Sequence, residues 1–331
     1  MTIIIIGGSG FIGSRLCQRL YYTGINFTII DKNTSKFFPE KVTIADIRDY
    51  KALSQAVKSC DVVINLAAEH RDDVSPKNLY DDVNVKGSEN IVKVCLEKGI
   101  QHIIFTSSVA VYGFAPPNTG EEGAINYFND YGRTKWEAEK VYKAWYEERP
   151  NERSLTIIRP TVVFGERNRG NVYNLLKQIA SGLFPMVGNG KNVKSMAYVE
   201  NVAAFIEYMV NNSNGMQIYN YVDKPDFSMN ELVCLVKETL GKKPVTGFHW
   251  PYWLGYSGGL FFDGLAFLLR RKLPISSIRV RKFCATTQFN TRIFTDTQFT
   301  SPVSLKEGLM RTIQFEFINK NNPDEVLFYS E

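Results

Sequence analysis

The sequence predicts an α/β fold, a doubly wound parallel sheet with a smaller C-terminal substrate domain. Four isoleucines at positions 3–6 form a β-branched run without polar alternation, the pattern of a strand buried on both faces. Gly7, Gly10 and Gly13 follow at once in GxxGxxG spacing and open an amphipathic stretch over 11–22. Apolar runs then recur between helical stretches, at 27–30, 61–68 and 102–108, and such alternation folds as right-handed βαβ units.

Composition narrows the class. With 331 residues, 44% hydrophobic and 22% charged, the chain can bury a large core and is neither disordered nor fibrous. A net charge of +5 over this length, without helix-turn-helix or zinc-finger spacing, argues against nucleic acid as partner. Cys17, Cys60, Cys95, Cys234 and Cys284 stand far apart with no CxxC pair, as expected of reduced thiols in a cytoplasmic protein. His70, His102 and His249 lack ligand spacing, so no metal site is expected. The opening run is too short, and lacks the basic residues, for a signal peptide.

The first element carries the first chemistry. Gly7 and Gly10 permit a tight turn and close approach of a diphosphate, Gly13 lets the next helix pack on the sheet, and the helix N-terminus favours the anion. The second strand, at 27–30, ends in Asp31, whose carboxylate would accept bonds from an adenosine ribose and repel a 2′-phosphate, favouring NAD over NADP; Lys32 weakens that preference slightly. The third segment, "VTIADIRD", puts Asp46 and Ile47 near the adenine end. Further on, "YGRTK" places Tyr131 and Lys135 four apart on one helix face. A cation held near a phenol favours the phenolate, which would make Tyr131 a general acid/base.

Taken in order, "GGSGFIG", "NLAA", "NVKGSENIV", "FTSSVAVYG", "YGRTK" and "IRPTVVFG" resemble the extended short-chain dehydrogenase/reductases of the nucleotide-sugar epimerase and dehydratase group, over roughly the first 165 residues. The resemblance implies a Rossmann-type sheet over 1–165 with a return segment near 193–223, and a substrate domain over 166–192 and 224–331. It implies NAD as cofactor, bordered by Phe11, Ile12, Leu66, Ala67, Ala68, Asn84, Thr106, Arg159 and Pro160, with Pro160 near the nicotinamide and Lys135 on its ribose. Ser108 completes a catalytic triad with Tyr131 and Lys135, Ser107 being its rival. A homodimer through helices of the cofactor domain is also implied.

The reaction is narrowed by an absence. A 4,6-dehydratase of this group needs an acidic pair just after its serine, where this chain has Val109 and Ala110. Epimerisation at C4 is the simplest use of what remains; a 4-keto-sugar reductase would use the same residues, and a non-catalytic NAD-sensing module would be expected to have lost Tyr131 or Lys135. The loop and helix over 165–182, with Asn171, are expected over the sugar. Lys194 stands where related epimerases commonly have an arginine near the diphosphate, still cationic but without a bidentate fork.

One segment does not fit a plain enzyme. Residues 250–269 are largely apolar and would be about 30 Å long as a helix. They also hold Pro251, four glycines and Asp263, whose charge would cost about 2.5–3.5 kcal/mol at a bilayer centre, which disfavours spanning. Six cations follow without an acid: Arg270, Arg271, Lys272, Arg279, Arg281 and Lys282. Apolar area followed by cations suits contact with an anionic inner leaflet over 250–282; a core helix or a dimer face is the other reading. The C-terminal block and "AAEHRDDVSP" resemble bacterial 4-epimerases that turn N-acetylglucosamine into N-acetylgalactosamine on undecaprenyl diphosphate at the start of O-antigen synthesis. A cytoplasmic enzyme peripheral to the membrane is then expected, with UDP-N-acetylglucosamine or UDP-glucose 4-epimerisation as the alternative.

Overall fold

The computed structural model describes residues 1–71, 74–182, 184–269, 277–319 and 326–329. Its centre is a seven-stranded parallel sheet. Strands β1 (Thr2–Ile6), β2 (Asn26–Asp31), β3 (Val42–Ile44), β4 (Val62–Asn65), β5 (His102–Thr106) and β6 (Ser154–Pro160) follow one another, β7 (Val162–Phe164) lies outside the sheet, and β8 (Met186–Val187), β9 (Val193–Lys194) and β10 (Met196–Tyr198) lead to β11 (Met216–Tyr221), which rejoins it. The order is β11-β6-β5-β4-β1-β2-β3. The chain therefore starts in the middle and winds out both ways, leaving a crevice above the C-terminal ends of β1 and β4.

Ile3 to Ile6 are each at most 2% exposed because helices cover both faces of β1. On one side pack α1 (Phe11–Tyr22) and α6 (Val199–Asn212); on the other pack α2 (Tyr50–Ala56), α3 (Gly87–Lys98) and α4 (Asp130–Glu147). Alternate isoleucines serve the two cores, Ile3 and Ile5 the first, Ile4 and Ile6 the second. Each contributes about 1.5–3 kcal/mol by burial.

The second unit gathers around α5 (Asn171–Ala180), α7 (Met229–Thr239) and α11 (Leu305–Ile313), which share a third core with Met186, Met196 and Tyr198. Ser304 caps α11 by accepting from the Glu307 amide at 3.2 Å, where the serine-to-glutamate spacing predicts a helix start. After β12 (Phe227–Ser228) and β13 (His249–Trp250) come α8 (Tyr252–Leu269), α9 (Ser277–Cys284) and α10 (Ile293–Asp296). The base of α8 is seated closely: a Cβ on Gly255 would lie 2.6 Å from the Val187 side chain. Beyond that base it is exposed, with Trp253, Phe261 and Leu268 at 68%, 69% and 77%. Such exposure does not fit the alternative reading of a core helix. Among the described residues no helix is long and apolar enough to cross a membrane. Arg270, Arg271 and Lys272 lie outside the described residues, as do the side chains of Arg279 and Lys282.

Candidate active site

The turn after β1 is built for glycine. Gly7 has φ +79°, and a Cβ there would stand 2.6 Å from the Ala67 amide nitrogen, so the turn presses on the loop after β4. A Cβ on Gly13 would stand 2.6 Å from the Gly8 carbonyl oxygen, so any side chain would push α1 off the sheet. No side chain caps the N-terminus of α1; Gly10 is its N-cap, followed by Phe11 and Ile12. A backbone cradle closed to side chains, ending in an uncapped helix start, fits a diphosphate.

Asp31 comes next, at the end of β2, taking the Ser9 amide at 3.1 Å and the Asn33 amide at 2.9 Å. Burial raises its pKa from the usual carboxylate range, and these amides partly offset that. Lys32 adjoins it. Ile47 is buried against Gly87, while Asp46 lines an open cleft of about 380 Å³ with Arg48, Asp49, Asp82 and Lys86. Leu66, Ala67 and Ala68 follow β4 beside the glycine turn. Asn84 lies in a π-helical turn leading into α3; it bonds the Glu69 amide and carbonyl and donates to Thr134 on α4 at 3.0 Å, fastening the loop after β4. Thr106 donates to the Asn65 carbonyl, and Pro160 ends β6.

The Ser–Tyr–Lys group assembles because α4 comes unusually close. Asn129 caps it by accepting from Gly132, and a Cβ on Gly132 would lie 2.5 Å from the Ala110 carbonyl oxygen in the turn after Ser108. The second residue of "YGRTK" thus sets the approach. Ser108 accepts from the Ala110 amide at 3.1 Å, and its hydroxyl lies near enough to the Tyr131 phenol to favour the phenolate. Lys135, 2% exposed, sits one turn on with its ammonium 4.5 Å from the centre of the Phe105 ring.

Burial governs the charges here. It raises the Tyr131 phenol, with the Ser108 hydroxyl only partly offsetting it, and pushes Lys135 down to about 7, with Glu139 pulling the other way. Desolvation, rather than the neighbouring charge, is the larger influence on both groups and favours their neutral forms.

Arg159 and Ser107 meet at one buried carboxylate. Arg159, expected beside the cofactor, is buried and grips Glu139 with Nε to Oε1 at 2.8 Å and Nη2 to Oε2 at 2.6 Å. Ser107 donates to the same carboxylate at 2.6 Å, so its hydroxyl is engaged there, while Ser108 lies near Tyr131. Glu139 was missed by sequence reasoning, although it continues the four-residue spacing of Tyr131 and Lys135. The loop after β4 borders the site: His70 is electrostatically coupled to Lys135 and Tyr80 to Tyr131, while Asp72 and Asp73 lie outside the described residues.

The substrate candidates sit farther out. Asn171 is exposed at the first position of α5. Lys194, on β9, donates to the Ala285 carbonyl at 2.6 Å, and burial pushes it down to about 8. Arg281 of α9 lies 5.4 Å from the Phe114 ring, which packs on Phe128 just before α4. Helix α9 thus adjoins the segment that leads into α4.

Comparison with known proteins agrees with this arrangement. Residues 3–221 match the family described as the NAD dependent epimerase/dehydratase family. The whole chain is 52% identical to the N-acetyl-alpha-D-glucosaminyl-diphospho-ditrans,octacis-undecaprenol 4-epimerase of Escherichia coli O157:H7, over 331 residues and 99% of that protein. It is 27% identical to the UDP-glucose 4-epimerase of Vibrio cholerae, with 97% of each chain covered. The solved structure of MoeE5 in complex with UDP-glucose and NAD superposes with a TM-score of 0.74 over 95% of this chain and 98% of that one, at 21% identity, a likeness of fold.

Proposed function

This chain belongs to the NAD dependent epimerase/dehydratase family, and on that footing we propose that it inverts C4 of N-acetylglucosamine to give N-acetylgalactosamine on undecaprenyl diphosphate, for O-antigen or a related surface polysaccharide. The full-length likeness to the Escherichia coli enzyme carries this reading, since it runs through the substrate domain as well as the cofactor face.

Gly7, Gly10 and Gly13 with the first turn of α1 would hold the NAD diphosphate, Asp31 the adenosine ribose, and Lys135 the nicotinamide ribose beside Pro160. NAD held there would supply both the acceptor and the donor of the C4 hydride, so inversion needs no outside oxidant. The chain itself handles the proton. Tyr131 accepts it from the O4 hydroxyl and later returns it, while Ser108, beside the phenol, would orient that hydroxyl. Because burial favours the neutral phenol, Tyr131 would act as a base only in a loaded site where a charged Lys135, one turn away, favours the phenolate. Val109 and Ala110 offer no acid or base for an elimination, so the sugar keeps its C6 hydroxyl.

The exposed face of α8 supports contact with the membrane that carries such a substrate. Trp253, Phe261 and Leu268 would enter the headgroup boundary, and the cations from Arg270 to Lys282 would add about 1 kcal/mol each against anionic lipid. Arg281 and Lys194 would then meet the lipid diphosphate near the mouth of the site.

Purified protein offered undecaprenyl-diphosphate-linked N-acetylglucosamine and UDP-N-acetylglucosamine in parallel tests this, with C4 inversion followed by chromatography of the released sugar. Turnover of the lipid-linked sugar is expected. Turnover of the UDP-sugar alone would refute the lipid substrate and leave a UDP-sugar 4-epimerase.

A further inference from the structure

We propose that the C-terminal segment 326–329 is a strap across the cofactor cleft, holding the loop 165–170 on the glycine turn so that the dinucleotide stays bound between turnovers; this rests on the reading of that cleft as a dinucleotide site. The strap is a single parallel bridge between Phe328 and Asn168. The Phe328 amide donates to the Arg167 carbonyl at 2.8 Å, and the Arg169 amide donates to the Phe328 carbonyl at 2.7 Å. Its ring meets the Phe11 ring at 5.6 Å between centroids, and Phe11 is the first residue of α1, inside the glycine turn.

The loop beneath is fastened to the same place. A Cβ on Gly165 would stand 3.3 Å from the far end of the Phe11 ring, so loop and strap share one aromatic contact. Arg15 of α1 reaches the Glu166 carbonyl at 3.3 Å and its carboxylate at 3.4 Å. Arg167 lies in the left-handed region at φ +73°, costly for a side chain, with its amide held by the buried Glu316 carboxylate at 2.8 Å. Glu316 also pairs with Arg169. The Arg167 guanidinium stands 5.6 Å from the Phe37 ring, on the segment that follows Asp31. The loop therefore stretches from the diphosphate end of the cleft toward the ribose end, with the strap as its outer fastening. Among the described residues the strap is fastened by two backbone hydrogen bonds and one ring contact, a fastening that can open locally without unfolding the domain yet slows that opening. A reaction that returns its hydride to the same sugar benefits from a cofactor that does not leave.

The test compares the full chain with Phe328→Ala and with a chain ending at Asn319. Each is purified with its dinucleotide and desalted, and the NAD released over time is measured by chromatography. Release about tenfold faster or more is expected in both variants, with activity of diluted enzyme restored by added NAD and the melting temperature of Phe328→Ala unchanged. Release from Phe328→Ala at the full-chain rate would overturn the strap, and that variant alone decides should the shortened chain fail to fold. A full chain that neither carries nor binds NAD would instead overturn the cofactor reading, and the strap with it.

Discussion

Replacing Lys135 by methionine should inactivate the enzyme and at the same time stabilise its NAD-free form. The lysine is 2% exposed, and its pKa falls from 10.5 to about 7, chiefly by desolvation. A folded-state value below the unfolded one means that the unfolded chain binds more protons between pH 7 and 10.5. Stability from this group therefore rises with pH across that window and is lowest below it. Relative to a side chain that cannot be charged, the lysine opposes folding by roughly 4 kcal/mol at pH 7 and roughly 2 kcal/mol at pH 9. Methionine has similar length and fills the same space; the lost contact with the Phe105 ring subtracts about 1 kcal/mol. Urea unfolding of the NAD-free proteins at the two pH values should thus show a gain that shrinks by about 2 kcal/mol from pH 7 to pH 9. A variant no more stable than the parent at pH 7, or a gain equal at both pH values, would refute the reasoning.

Tyr131→Phe should lower turnover by about 10²- to 10⁴-fold while bound NAD and melting temperature stay unchanged, since only the proton carrier is lost; undiminished turnover would remove Tyr131 from the chemistry. Glu139→Gln should cost about 3–5 kcal/mol in denaturant unfolding, because it leaves Arg159 buried without its carboxylate; changing both to apolar residues should recover most of it. His102, half-buried with its shielded Nε2 unpartnered among the described residues, is pushed down to about 4 by desolvation and so stays neutral in the fold while the unfolded chain protonates near 6.5. Stability is fully present above pH 6.5 and falls as pH drops toward 4, and His102→Phe should remove about 2 kcal/mol of that loss at pH 5, read by unfolding at pH 7 and pH 5. Trp253→Ser with Phe261→Ser should abolish sedimentation with anionic phospholipid vesicles without changing the melting temperature; retained binding would return α8 to another role.

Much of the cofactor face was legible in the sequence because its determinants are local. The glycine spacing, the buried first strand, Asp31 at a strand end and the four-residue step from Tyr131 to Lys135 are each set by neighbours within a turn or two. Glu139 continues that step, but a glutamate on a helix is ordinarily solvated, and the residue that buries it, Arg159, arrives from a strand twenty positions later. The two serines show the same limit. Ser107 and Ser108 are adjacent and chemically alike, and only the packing of α4 engages one with Glu139 while the other caps the turn at Ala110.

The sequence by itself determined the parallel sheet, the turn open only to glycine, and the acid/base candidates, since backbone sterics and side-chain periodicity act over a few residues. The tertiary structure alone decided the charge states within the site, the exposure of α8 and the meeting of residues 326–329 with the glycine turn. Desolvation depends on everything packed around a group, and a contact between Phe328 and Phe11 joins two ends of the chain that no local pattern connects.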